Sequence, residues 1–154
     1  MKIVRGILFV TLLATSAGAG TDPFIGKWVM DPKHSDYPVG ASPKTMIIEM
    51  ETTGRGVHYK SDTVFDNGQT THAEYTADYD GNQVMVTGAN RLMLPVTLKR
   101  VDSRTVVASY TKFLRVVATS RRVVSEDGRR MTITTTSKDK YGKDVTTIGV
   151  YEKQ

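Results

Sequence analysis

The 154-residue chain contains no cysteine. That excludes disulfides, thiolate metal sites, a cysteine nucleophile and the lipid-modified cysteine of a lipoprotein. Tryptophan occurs once, at Trp28, and proline five times, with Pro32, Pro38 and Pro43 inside one polar stretch. No apolar face recurs at helical spacing for any length, so no amphipathic helix is expected. Positive charge exceeds negative by five but is scattered, with Arg121-Arg122 and Arg129-Arg130 as the arginine doublets. Nucleic-acid binders concentrate charge on one face and add stacking aromatics or a groove-reading helix. Neither is found, which argues against that class of partner.

Long apolar runs are missing too, save residues 7–14 behind Lys2 and Arg5 and ahead of Ala17-Gly18-Ala19. A basic start, a short apolar middle and a small-x-small ending are the marks of a secretory signal. The run is too short to cross a bilayer core of ~30 Å as a helix. Residues 1–19 are therefore expected to be a cleaved signal peptide, and residues 20–154 a single exported domain, periplasmic or secreted, with no integral membrane segment. Losing Lys2 and Arg5 lowers the formal charge from +5 to +3. The remaining ~135 residues can bury a sufficient core without disulfides.

What is present is a two-residue period. In residues 44–51, Met46, Ile48 and Met50 share one face, the alternation of a half-buried strand. Further strands are predicted at 57–65, 69–79, 83–87, 91–101, 105–112, 114–124, 130–137 and 144–153. Asp66-Asn67-Gly68, Asp80-Gly81-Asn82, Asp102-Ser103, Glu126-Asp127-Gly128 and Tyr141-Gly142 punctuate them, because Asn and Gly accept the positive φ of tight turns. The three prolines make residues 31–43 a loop. With the segment at Trp28 the count is about ten strands. Regular meander spacing predicts an all-β, up-and-down antiparallel barrel of eight to ten strands in which each neighbouring pair is a hairpin.

Phe24-x-Gly26-x-Trp28 near the start of the domain resembles the N-terminal motif of the calycins, the lipocalins and fatty-acid-binding proteins. Val150-Tyr151-Glu152-Lys153 resembles the closing strand of the fatty-acid-binding branch. The resemblance implies a barrel plugged at one end by Gly26 and Trp28, with a basic side chain such as Lys153 lying across the indole. It also implies a small-molecule cavity. Two departures make an exported, lipocalin-like member the better description: Gly149 stands where fatty-acid-binding proteins carry a ligand-holding arginine, and the proline-broken loop replaces their two lid helices.

Alternation selects the lining residue by residue. Met46, Ile48, Met50, Val57, Tyr59, Leu92, Leu94, Val96, Met131, Ile133 and Tyr151 are expected to face inward, and Thr132 and Thr134 outward. One of Arg121 and Arg122 must also face in; the resemblance favours Arg122, which would fill a gap left beside Gly149. An inward arginine calls for an anionic ligand group, a carboxylate or internal water. His34, His58 and His72 lack metal-ligand spacing, and no phosphate or dinucleotide loop is present. Folding the hairpin about Asn67-Gly68 sets His72 beside Thr63. The expected function is binding or carriage of a small hydrophobic or amphipathic molecule, with no cofactor. The alternatives are a filled interaction barrel without a cavity, or a barrel-cavity cyclase or isomerase.

Overall fold

The computed structural model describes residues 21–38, 42–88 and 94–154. Ten antiparallel strands form one sheet: β1 (Gly26–Met30), β2 (Pro43–Thr52), β3 (Gly56–Phe65), β4 (Thr70–Asp78), β5 (Asp80–Met85), β6 (Pro95–Asp102), β7 (Thr105–Lys112), β8 (Arg115–Val124), β9 (Arg130–Lys138) and β10 (Asp144–Lys153). No helix occurs among the described residues. The order β4-β3-β2-β1-β10-β9-β8-β7-β6-β5 is a meander closed by its first and last strands. Trp28 stands opposite Lys153, and Met30 opposite Tyr151. The barrel is nearly closed, as the strand count predicts.

One expected hairpin is not made. β4 runs into β5 through Tyr79 alone, and Gly81 and Asn82 belong to β5, not to a turn. Among the described residues a single bridge joins β4 to the chain just past β5, in which Glu74 and Thr87 exchange backbone hydrogen bonds of 2.7 and 2.8 Å. Gly88 permits that contact, since a Cβ there would lie 1.9 Å from the His72 carbonyl oxygen. The β3–β4 turn is also longer than a two-residue loop. Phe65 N–H donates to the Gln69 carbonyl at 2.9 Å, Gly68 has φ +79°, and the pairing slips by one so that His72 faces Asp62, not Thr63. Leu114, predicted in a strand, is a turn residue: Phe113 and Leu114 both have positive φ, at 48° and 62°.

The loop after β1 stays bound to β10. Asp31 N–H donates to the Val150 carbonyl, and Asp36 exchanges backbone bonds with Ile148. Residues 39–41 lie outside the described part.

Inward side chains at the Trp28 end pack into one apolar cluster. Phe24, Trp28, Met50, Val57, Leu98, Val106, Val124 and Met131 are all buried in one cluster. Trp28 donates its indole N–H to the Phe24 carbonyl at 2.8 Å, which satisfies its one polar atom. Lys153 Nζ sits 5.0 Å from the indole centroid and donates to the Pro23 carbonyl at 3.2 Å. Gly26, at φ +132°, leaves room for the Lys153 stem, which would come within 2.8 Å of any Cβ.

Candidate functional site: a half-hollow barrel

β8 and β10 are both antiparallel to β9 and so run in the same direction: Ser120 and Thr147 lie toward the far end, while Arg122 and Tyr151 lie two and four residues nearer Trp28. Here the apolar packing stops. A cavity of about 280 Å³ opens, lined by Tyr37, Met46, Tyr59, Tyr110, Ser120, Arg122, Ile133, Thr135, Thr147 and Tyr151. Two larger hollows of about 350 and 400 Å³ open to the outside, one around Arg55 and Arg100 and the other between Pro32, Asp36, Lys44 and Asp66.

Arg122 is the central group. It is 3% exposed, while Arg121 beside it in the strand is exposed, as alternation requires of consecutive residues. Its guanidinium lies 4.8 Å from the Tyr59 ring centroid and donates to the Tyr110 hydroxyl at 3.2 Å. Tyr59 is stacked in turn on Tyr75, with centroids 4.7 Å apart and planes 13° from parallel. None of the ion pairs among the described residues includes Arg122. Its Nε and the Tyr75 hydroxyl are buried without a hydrogen-bond partner. Burial works against the charge, but the surrounding Tyr75, Tyr110 and Tyr59 outweigh it, and the guanidinium remains protonated. Burial pushes the Tyr59 and Tyr75 phenols up, so both stay neutral. The result is a positive charge in a low-dielectric wall, held by aromatic faces and one tyrosine hydroxyl.

The Tyr151 hydroxyl donates to Met46 Sδ at 3.1 Å and lies 3.4 Å from the Tyr37 hydroxyl. Ser120 and Thr135 hydroxyls are 2.6 Å apart. The space beside Gly149 is not the gap expected from the sequence. Tyr37 Oη and the Tyr151 ring occupy it, within 2.6 to 2.8 Å of where a Cβ would stand.

Of the residues selected from the sequence, Met46, Tyr59, Arg122, Ile133 and Tyr151 share the cavity wall. Ile48, Met50 and Met131 face inward but are packed into the solid half of the core, off the wall. Leu94 is half-buried and also off the wall, and Leu92 lies outside the described residues. Gly26, Trp28 and Lys153 meet at the plug. Tyr37, Tyr110, Ser120, Thr135 and Thr147 were not selected, although the last three share strand phase with Arg122, Ile133 and Tyr151. Extending the phase to polar residues would have found them.

The histidines lie away from this cavity. His58 Nε2 and His72 Nε2 approach opposite oxygens of Glu74, at 3.0 and 3.4 Å, and His72 Nδ1 reaches Asp62 at 2.8 Å. No cluster of three or more metal-ligating side chains is formed among the described residues.

No family profile matches the sequence, and no relative is found among curated proteins. Solved structures do resemble the fold. A Schistosoma mansoni fatty acid binding protein in complex with arachidonic acid superposes with a TM-score of 0.60 at 14% identity, over 86% of this chain and 96% of that one. A zebrafish ileal bile acid-binding protein complexed with cholic acid gives 0.55 at 10% identity, over 86% and 99%. At such identities the likeness is one of architecture: the chain has the ten-stranded, nearly closed barrel fold of the fatty acid- and bile acid-binding proteins.

Proposed function

We propose that the protein binds a small amphipathic molecule in the barrel, with an anionic head on Arg122 and an apolar body against Met46, Ile133 and Tyr151. The observation that carries this is a buried guanidinium in a cavity wall with no carboxylate partner. Such a charge is costly to keep unless something negative or strongly polar meets it. The Arg122 Nε, buried without a hydrogen-bond partner, supplies further hydrogen-bonding capacity there. The two structural neighbours carry arachidonic acid and cholic acid, each an acid with a large apolar body. A volume of about 280 Å³ sits at the lower edge of ligand pockets, generally ~300 Å³ upward, and selects a small guest. Binding outside the cytoplasm follows from reading residues 1–19 as a signal, which N-terminal sequencing of the mature protein tests.

Fluorescence titration with two dyes tests the site: anilinonaphthalene sulfonate, which is anionic, and Nile red, which is neutral. Arg122→Gln is expected to weaken the sulfonate by roughly 1–3 kcal/mol, the range of one hydrogen bond to a charged group, and to leave Nile red nearly unchanged. Equal loss of both dyes, or binding of neither by the wild type, overturns the reading.

A further inference from the structure

The β7–β8 turn breaks the rule that four of the other hairpin turns obey. Gly54, Gly68, Gly128 and Gly142 supply positive φ between β2 and β3, β3 and β4, β8 and β9, and β9 and β10, at no steric cost. Between Lys112 and Arg115, which face one another in the ladder, the two loop residues are Phe113 and Leu114, both left-handed. This is a two-residue hairpin loop whose usual occupants are Asn and Gly. A bulky residue there strains the backbone, and such outliers point to function more often than to stability. The side chains gain nothing from the fold in exchange: Phe113 is 88% exposed and Leu114 99%.

Strand direction places this tip at the cavity end, opposite Trp28. β9 and β10 turn at the same end, and there Tyr141 is 82% exposed. These three are the most exposed large apolar side chains among the described residues. The two tips also carry five cations, Lys112, Arg115, Lys138, Lys140 and Lys143, against two carboxylates, Asp139 and Asp144. Lys112 Nζ lies 5.6 Å from the Phe113 ring and Lys140 Nζ 4.9 Å from the Tyr141 ring, so each aromatic is flanked by a charge on a flexible stem. Apolar tips inside a basic collar match an anionic lipid surface: rings and Leu114 enter the boundary of the acyl chains while the amines stay with the headgroups.

We infer that the cavity end of the barrel docks on anionic phospholipid membranes through the Phe113-Leu114 tip, assisted by Tyr141. Docking there turns the end that holds the cavity toward the bilayer. The inference stands on exposed residues and not on Arg122, so it holds or fails apart from the ligand reading.

Vesicle co-sedimentation of the full chain tests it, with phosphatidylcholine vesicles prepared with and without phosphatidylglycerol. The wild type is expected to pellet with the anionic vesicles, less so at high salt, and to stay largely in solution with the neutral ones. The decisive variant is Phe113→Asn/Leu114→Gly, which installs the residues that this turn geometry favours. It should lose about tenfold or more in partitioning, the loss of at least one buried large apolar side chain. Its melting temperature should hold or rise, which separates lost docking from lost folding. Lys112→Ser/Arg115→Ser, which leaves the turn untouched, should reduce anionic binding and flatten its salt dependence. Failure of the wild type to bind, or equal partitioning of the Asn-Gly variant, overturns the inference. So does a wild type that forms dimers abolished by the Asn-Gly change while ignoring vesicles, because the tip then serves a second copy of the chain.

Discussion

The two ends of the barrel are built from the same strands, yet one is solid and the other hollow. Along β8 the inward residues run Ser120, Arg122, Val124; along β9 they run Met131, Ile133, Thr135. Toward Trp28 the phase is filled by Val, Leu, Met and aromatic side chains, whose burial is worth ~1.5–3 kcal/mol each. Toward the tips it passes to Ser, Thr, Tyr hydroxyls and a guanidinium, which resist dense apolar packing. One end therefore carries stability and the other leaves a space. The first half of the barrel is a filled core, and the second encloses a cavity.

The comparison breaks most visibly at the plug. Trp28 is fully buried, hydrogen-bonded to Phe24 and covered by Lys153, so Trp28→Ala leaves a void ringed by the core with nothing to collapse into it. A loss of about 3–5 kcal/mol is expected, read as a lower urea midpoint by circular dichroism. A loss under about 1 kcal/mol would mean the plug is not what holds the strands together.

Arg122→Met sharpens the contrast from the other side. The guanidinium forfeits desolvation energy without a counter-charge, while its stacking on Tyr59 returns at most ~2 kcal/mol and its bond to Tyr110 about 1 kcal/mol. Replacing buried charge by an apolar side chain of similar length is commonly neutral or stabilising. The expected outcome is unchanged or higher stability in urea together with loss of the anionic dye. Plug and wall then separate cleanly, one variant unfolding the protein and the other emptying it. A drop in stability above about 2 kcal/mol would place Arg122 among the structural residues instead.

The solid end was easier to read from sequence than the hollow one, for a physical reason. Alternation reports which face a residue is on, and apolar identity confirms it, so Met50, Val57 and Met131 could be set inside directly. It does not report depth, and Ile48, Met50 and Met131 were placed at the ligand when they belong to the packed half. Ser120, Thr135 and Thr147 sit in the same inward phase but look like solvent-facing residues. Tyr37 comes from a segment with no period at all and reaches the cavity because Asp31 and Asp36 bind it to β10. Turns were legible where Gly or Asn announced them. Phe113-Leu114 announced nothing, and Asp80-Gly81-Asn82 announced a hairpin where the chain leaves the β4–β5 seam almost unpaired.

That seam, outside both ends, has its own chemistry and yields the smallest effect. His72 lies on β4 beside it, with Asp62 on one ring nitrogen and Glu74, which His58 also approaches, on the other. The hydrogen bond to Asp62 is the largest influence, followed by partial burial, which opposes it, and by Glu74. The net direction is up from 6.5. A pKa raised in the folded state means the folded chain holds its proton more tightly than the unfolded one. The stability this adds is complete below about pH 6.5 and fades as pH climbs through the higher folded value. The pair is largely solvated, which limits the contribution to well under 1 kcal/mol and makes it salt-sensitive. NMR titration of His72 should therefore give a value above the ordinary one, and Asp62→Asn should bring it back down. Because Glu74 also carries the lone bridge to Thr87, deprotonation of His72 should speed amide exchange at Glu74 and Thr87 more than at Trp28 or Tyr151. Uniform acceleration around the barrel would show that the seam opens only with the whole fold.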